Sequence, residues 1–486
     1  MHQRHLLRMT AFAAASPLLS LLFSACGGGD DGPAPAPAPV PEETRAQDGR
    51  TAFAADPAAL SFGALAGLAV ETDRWTGVQG GAGYRIEVPK TGWNGKLVMY
   101  AHGYTGTGNA LVVTSPSIRR YLLEQGFAWA ASSYSKNYYD VRAGVEDTNA
   151  LAQAFVQIAA ANGRTLAAPT RTYLIGHSMG GHITAAAIED EAAATAVHKQ
   201  KYDGAVPMCG VVGDTELFDY FAGYQLAAQQ LAGVPATAFP TTDWATLVAT
   251  VRTTLFASQT SFTAPTPQGA KLKEVVMNLT GGPRPIFDQG FANNGLQNVV
   301  WGTFGGDGSI NGILNKSVVD TNRFSYRFTA SDAELAAFNA SIVKATAAPD
   351  ANRLRTDGLR WIPKVNGEFK IPVVSLHTLG DLYVPFRMEQ VYRARVEAKG
   401  NGGWLVQRAV RAPSHCDFTV AEQVGAFSAM VAWAETGVKP AGDDVVTAAT
   451  VADPAYGCTY TVNAGGTDDN PTTIATRALM PACPAP

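Results

Sequence analysis

From about Leu68 onward, short apolar runs alternate with longer stretches in which apolar residues return every three or four positions. The short runs predict strands at 84–89, 96–101, 127–132, 172–175, 204–208, 371–376 and 404–410. The longer stretches predict helices. Ile118, Tyr121 and Leu122 mark one across 117–125, and Leu151, Phe155 and Ile158 mark another across 145–161, closed by Asn162-Gly163. An Ala-rich helix is expected after the turn Gly176–Gly181, running to about Ala196, and a last helix across 420–433. Strands alternating with helices predict an α/β fold whose mostly parallel sheet is covered on both faces. The rhythm stops near Asp214 and resumes at Ile371. That gap is far longer than ordinary connections, so residues 214–360 are expected to form an inserted subdomain between strands 6 and 7 of a core spanning 51–213 and 361–440. Residues 441–486 are expected to be a tail with weak strand character.

The first fifty residues have a different pattern. Arg4 and Arg8 precede an apolar stretch that is too short for a membrane span and is interrupted by Pro17. Leu22-Phe23-Ser24-Ala25-Cys26 then resembles a bacterial lipoprotein signal. That resemblance implies export, removal of residues 1–25 and lipidation of Cys26, which would tie the protein to a membrane of the cell envelope. Phe23 is too large for the small-x-small site of ordinary signal cleavage. The alternating Pro-Ala tract from Pro33 to Pro41 has no apolar face to bury, so residues 26–50 are expected to be an anchor and extended linker.

Composition narrows the chemistry. Of 486 residues, 46% are apolar, enough for a sizeable core, and the formal net charge is −4 with no basic stripe, so nucleic acid is not an expected partner. Apart from Cys26, the cysteines are Cys209, Cys416, Cys458 and Cys483, an even number suited to an oxidising compartment. No pair has metal-ligand spacing and the eight histidines are scattered, so neither a structural metal nor a cofactor is expected. Asp307 to Gly312 has a trace of calcium-loop spacing. Val318 stands where the twelfth-position acid belongs, so a plain turn is expected.

The chemistry centres on Gly176-His177-Ser178-Met179-Gly180-Gly181. A free serine hydroxyl is a weak nucleophile, and a G-x-S-x-G turn between strand and helix raises the hydroxyl above the sheet at a helix N-terminus. This motif occurs together with His102-Gly103 after a strand, Gly380-Asp381 with Val384-Pro385 after a later strand, and a late histidine. In that order the chain resembles the α/β-hydrolase superfamily over roughly Leu68 to Thr436, apart from the insertion. The superfamily order of serine, acid and histidine implies Ser178 as nucleophile and His415 as base, because only His415 follows a plausible acid. Asp381 is the expected acid. Its rival is Asp214, whose other reading is a cap for the first helix of the insertion. The expected oxyanion donors are the backbone N–H groups of Met179 and Tyr104, with Gly103 as second choice for the latter. His102 is expected to hold its loop, and His177 and His182 to pack.

Tannase-like members of the superfamily tie the residue beside the serine to the residue beside the histidine. This chain has the His415-Cys416 half but carries His177 at the other position. Cys209 follows the sixth strand, so a Cys209–Cys416 bridge near the site is expected, with Cys458 pairing Cys483. Cys209 as a small buried thiol is the alternative.

The resemblance implies hydrolysis of a small or polymeric carboxylic ester. The alternatives are a peptidase or amidase on the same fold, and a surface binding protein without turnover. In this family an insertion at this point is commonly a lid. Its Phe218, Tyr220, Phe221, Tyr224, Phe287, Phe291, Trp301 and Phe304 would form either an apolar pocket or the insertion's own core.

Overall fold

The computed structural model describes residues 41–307 and 312–484. The expected signal peptide, Cys26 and most of the linker lie outside the described residues, as does the centre of the Asp307–Gly312 turn. No described helix is long and apolar enough to cross a membrane.

Eight strands form the central sheet: β1 (Thr72–Gln79), β2 (Ala82–Pro89), β3 (Lys96–Ala101), β4 (Ala128–Ser132), β5 (Arg171–His177), β6 (Gly204–Met208), β7 (Val373–Thr378) and β8 (Leu405–Val410). Their order across the sheet is β8-β7-β6-β5-β3-β4-β2-β1, and only β2 runs against the rest. The strand β1 was not expected, because its sequence TDRWTGVQ carries little apolar signal. Its alternating Trp75 is buried, and it turns into β2 through Gly80-Gly81, both at positive φ as a tight hairpin requires.

Period-two alternation assigns the two faces of the sheet. Leu97 and Met99 of β3 join the core under helices α2 (Val141–Ala161) and α3 (Met179–Ala187). Val98 and Tyr100 face the opposite core, built with α1 (Arg119–Glu124) and α11 (Val420–Thr436). The Asp140 carboxylate caps α2 at Ala143 N–H, and Thr419 with Glu422 forms a capping box on α11. The Ala-rich helix is shorter than expected. It stops at Ala187, where buried Glu189 turns its carboxylate to the N–H groups of Gly367 and Glu368, and a short helix follows at Asp190–Thr195.

Between β6 and β7 the chain forms α4 (Glu216–Leu231), α5 (Trp244–Leu255), α6 (Pro267–Leu279), α7 (Phe287–Phe291), α8 (Asn294–Trp301) and α9 (Asp332–Ser341). After β7 comes α10 (Arg387–Ala398). Tyr224, Trp244, Trp301 and Phe304 pack ring on ring within the α4–α9 segment.

Two expectations about the ends need correction. Residues 42–50 are not linker. Arg45 is buried and pairs with buried Asp140 at 2.9 Å, and Gln47 is fully buried. The tail holds no strand among its described residues. It forms α12 (Ala448–Val451) and α13 (Pro471–Arg477), with the buried Arg477 guanidinium paired to Glu422 of α11 at 2.8 Å. Both segments look polar in sequence because each buries charge against a partner far away in the chain.

Candidate active site

The strand β5 runs directly into α3 through Ser178, which sits at φ 58°, ψ −120°. That backbone region is sparsely populated for a residue with a Cβ, so the surrounding packing must hold it there. Glycine is required on both sides. A Cβ on Gly176 would lie 2.2 Å from the Gly180 carbonyl oxygen, and one on Gly180 would lie 2.0 Å from the Ala101 carbonyl oxygen. The turn is tied down by Ser178 N–H donating to the Met208 carbonyl at 3.0 Å.

Above this turn the Ser178 hydroxyl lies 2.8 Å from Nε2 of His415. Nδ1 of His415 lies 2.6 Å from Oδ2 of Asp381. With Nδ1 donating to the carboxylate, Nε2 is left to accept from the hydroxyl. Asp381 is fully buried on the turn after β7, and its Oδ1 accepts from Tyr383 N–H at 2.9 Å and Val384 N–H at 3.0 Å. His415 stands in the loop between β8 and α11, so three separate crossovers deliver the three side chains to the carboxyl edge of the sheet. The strand order, the single reversed strand and the strand–serine–helix turn together decide the architecture.

The chain has the α/β-hydrolase fold.

No family model matches the sequence. The chain is 32% identical over 76 residues to an o-phthalyl amidase of Xanthobacter agilis, a match spanning 16% of this chain and 17% of that protein. Among solved structures it is similar to an esterase from Aspergillus oryzae, at 12% identity and TM-score 0.43, covering 74% of this chain and 78% of that one. It is also similar to feruloyl esterase B from Aspergillus oryzae, at 14% identity and TM-score 0.39 over 76% and 82%.

The other sequence candidates of this α/β-hydrolase fold separate cleanly. Asp214 does not reach His415. It is buried against Arg395 at 2.6 Å and accepts from Val365 N–H at 3.1 Å, so it serves an ion pair rather than a helix cap. His102 is buried, stacks on Tyr134 at 4.1 Å between ring centroids, and the Tyr134 hydroxyl donates to its carbonyl. His182 bridges the Tyr139 hydroxyl at 2.9 Å and the Pro363 carbonyl at 2.7 Å, and burial lowers its pKa. His177 points to Gln423 at 3.0 Å, and burial pushes its pKa down to about 4. Both are therefore neutral near pH 7.

Met179 begins α3, and the loop of Gly103 and Tyr104 runs against the serine, since a Cβ on Gly103 would lie 3.2 Å from Ser178 Cβ. Cys209 and Cys416 form a disulfide with Cα atoms 5.2 Å apart, and Cys458 and Cys483 form a second. The one grouping of possible metal ligands among the described residues is Cys209, His415 and Cys416, whose sulfurs are already bonded to each other.

Ser178 opens into a cavity of about 610 Å³. Its walls include Tyr104, Tyr139, Phe218, Phe221, Phe304 and Tyr383. The aromatic residues between β6 and β7 thus differ in what they reach. Phe218, Phe221 and Phe304 reach the cavity, Phe218 and Phe304 while also packing in the core, whereas Tyr220, Tyr224, Phe287, Phe291 and Trp301 pack in the core alone. Tyr383 was not singled out in the sequence, although it lies in the Asp381 loop. Its ring meets His415 edge-on at 5.3 Å, and burial pushes its pKa up to about 12.

Proposed function

We propose that this chain is an exported serine hydrolase that cleaves carboxylic esters through an acyl-enzyme intermediate. The observation that carries this reading is the unbroken hydrogen-bonded chain Ser178–His415–Asp381 on a backbone turn that only glycine neighbours permit.

In this mechanism the Ser178 oxygen attacks the ester carbonyl while His415 Nε2 takes its proton. Asp381 fixes the tautomer that leaves Nε2 free and stabilises the imidazolium that forms. The N–H groups of Met179 and Tyr104 receive the charge developing on the carbonyl oxygen, which is commonly worth about 3 kcal/mol of barrier per donor. The imidazolium returns its proton to the leaving alcohol. Water, activated by the same histidine, then releases the acid. Residues 214–360 act as a lid whose Phe218, Phe221 and Phe304 give the substrate an apolar wall. Export fits the two disulfides, which persist in oxidising compartments. Lipidation of Cys26 would place the enzyme at a membrane surface.

A fluorophosphonate probe tests the reading directly. Labelling of the native chain and none of Ser178→Ala is expected, and an unlabelled native chain would refute it. Short-chain p-nitrophenyl esters assayed beside peptide and aryl anilides decide between ester and amide, with faster ester turnover expected. Mass spectrometry of the mature N-terminus tests the anchor, with a diacylglyceryl-modified Cys26 expected.

A further inference from the structure

A second histidine stands behind Asp381. His377 lies on β7, fully buried, and the chemistry proposed above makes no use of it. Its Nε2 lies 2.8 Å from the Val384 carbonyl oxygen, so that nitrogen carries a proton and donates. Its Nδ1 lies 3.4 Å from Oε1 of Glu389, on α10. Both Glu389 oxygens are acceptors already. Oε1 takes the Ser375 hydroxyl at 2.5 Å, and Oε2 takes the Gln407 side-chain amide at 2.5 Å. The Gln407 orientation is settled by its other end, since Oε1 accepts from Arg393. Donors at both oxygens favour the ionised carboxylate, although the Ser375 hydroxyl also has the Pro207 carbonyl within 3.2 Å. A neutral His377 protonated at Nε2 would leave bare Nδ1 3.4 Å from that carboxylate and without a hydrogen-bond partner, a repulsive arrangement in a buried site. A proton on Nδ1 removes the conflict. The same ring lies 4.0 Å from Oδ2 of Asp381, the oxygen that receives His415.

We propose that His377, as a buried imidazolium held between Glu389 and Asp381, is a positioning residue for the Asp381–His415 pair. It fixes the Val384 end of the turn whose amides clamp Asp381, and its positive charge offsets the negative charge of Glu389 close to the Asp381–His415 pair. This role rests on the serine-hydrolase reading above. Burial works against charge on His377, but the carboxylates of Glu389 and Asp381 outweigh it and hold its pKa above the ordinary value.

The other ionisable groups around the pair come from several elements. Buried Arg284 feels Asp381 from the insertion while donating to the carbonyls of Leu379 and Gly282, and Tyr220 and Tyr383 also face Asp381. Tyr392 and Tyr456 face Glu389. All of them remain in the variants below, so a shift between variants reports His377 and Glu389 alone.

His377→Gln keeps a donor for Val384 but removes the charge, leaving Glu389 uncompensated near Asp381. The acid limb of the kcat/KM profile should then move up by about one pH unit. Adding Glu389→Gln removes the opposing charge as well and should return the limb to its wild-type position. A limb that does not move in folded His377→Gln, or that stays displaced in the double variant, overturns the proposal. Nitrogen NMR of ¹⁵N-histidine-labelled wild-type protein gives an answer without any variant folding or turning over. Both His377 ring nitrogens should be protonated at pH 7, and a neutral ring there overturns the proposal. An imidazolium in a wild-type protein with no turnover on any ester or amide would instead refute the hydrolase reading, and the positioning role with it.

Discussion

His415 and Cys416 are adjacent in the chain, and a positive φ of 53° at Cys416 turns them to different partners. The imidazole faces Ser178, while the neighbouring sulfur is bonded to Cys209 at the end of β6. Cys209 also has positive φ, at 44°, so the bridge joins two strained backbone positions across the carboxyl edge of the sheet. The loop that carries His415 is thereby pinned to the sheet one residue away from the imidazole itself.

Replacing both Cys209 and Cys416 by serine should therefore reduce stability and turnover together. Closing a loop of 207 residues contributes at most about 5 kcal/mol by the loop-entropy estimate. Denaturant midpoints and kcat measured on the same preparation check this. Unchanged values of both would show the bridge to be inert.

The proposed acid is tested by a pair of variants. Asp381→Asn should lower kcat by on the order of 10⁴, because the amide favours the wrong imidazole tautomer. Asp214→Asn should weaken the fold through Arg395 but retain most turnover per folded molecule. The reverse ranking would transfer the acid role to Asp214.

Gly180→Ala should abolish probe labelling at Ser178. Its methyl would lie 2.0 Å from the Ala101 carbonyl oxygen, and backbone has to move to relieve the clash. A stability loss of about 1–3 kcal/mol is expected alongside. Normal labelling of a stable Gly180→Ala protein would mean that the turn tolerates a side chain.

Phe221 packs on Tyr383 with ring centroids 5.8 Å apart and lines the cavity beside Ser178. Phe221→Ala should change the preference between short and bulky acyl groups by about tenfold in relative kcat/KM, with little loss on the smallest ester. A panel of p-nitrophenyl esters measures this. A uniform loss across the panel would place Phe221 in the packing of the site rather than in selectivity.

Arg45→Ala should lower the unfolding free energy by about 3 kcal/mol, since it leaves the Asp140 carboxylate buried without its partner. Truncation before Gly49 should do the same, whereas truncation before Glu42 should not. Equal stability of the two truncations would return residues 42–50 to the linker.

Much of the fold was legible in the sequence because its signals are local. Apolar runs such as Lys96–Ala101 and Val373–Thr378 lie buried on both faces of a parallel sheet, so they remain apolar throughout and announce themselves. Ser178 was legible for a similar reason, since the glycines that its turn requires stand two residues away on either side. Chain order reduced the histidines to His415.

Charged and half-exposed segments were not legible. The strand β1 alternates around polar residues, and the 42–50 segment and the tail bury Arg45 and Arg477 against acids about a hundred and about fifty residues distant. Such burial is decided by the partner, and the partner is not a local property. Tertiary packing also distinguished Asp381 from Asp214, brought Phe218, Phe221 and Phe304 to the cavity, and set His377 between two carboxylates. In each case the residue types were present in the sequence. Which groups come within hydrogen-bonding distance depends on how the crossovers between strands bring remote loops to one edge of the sheet.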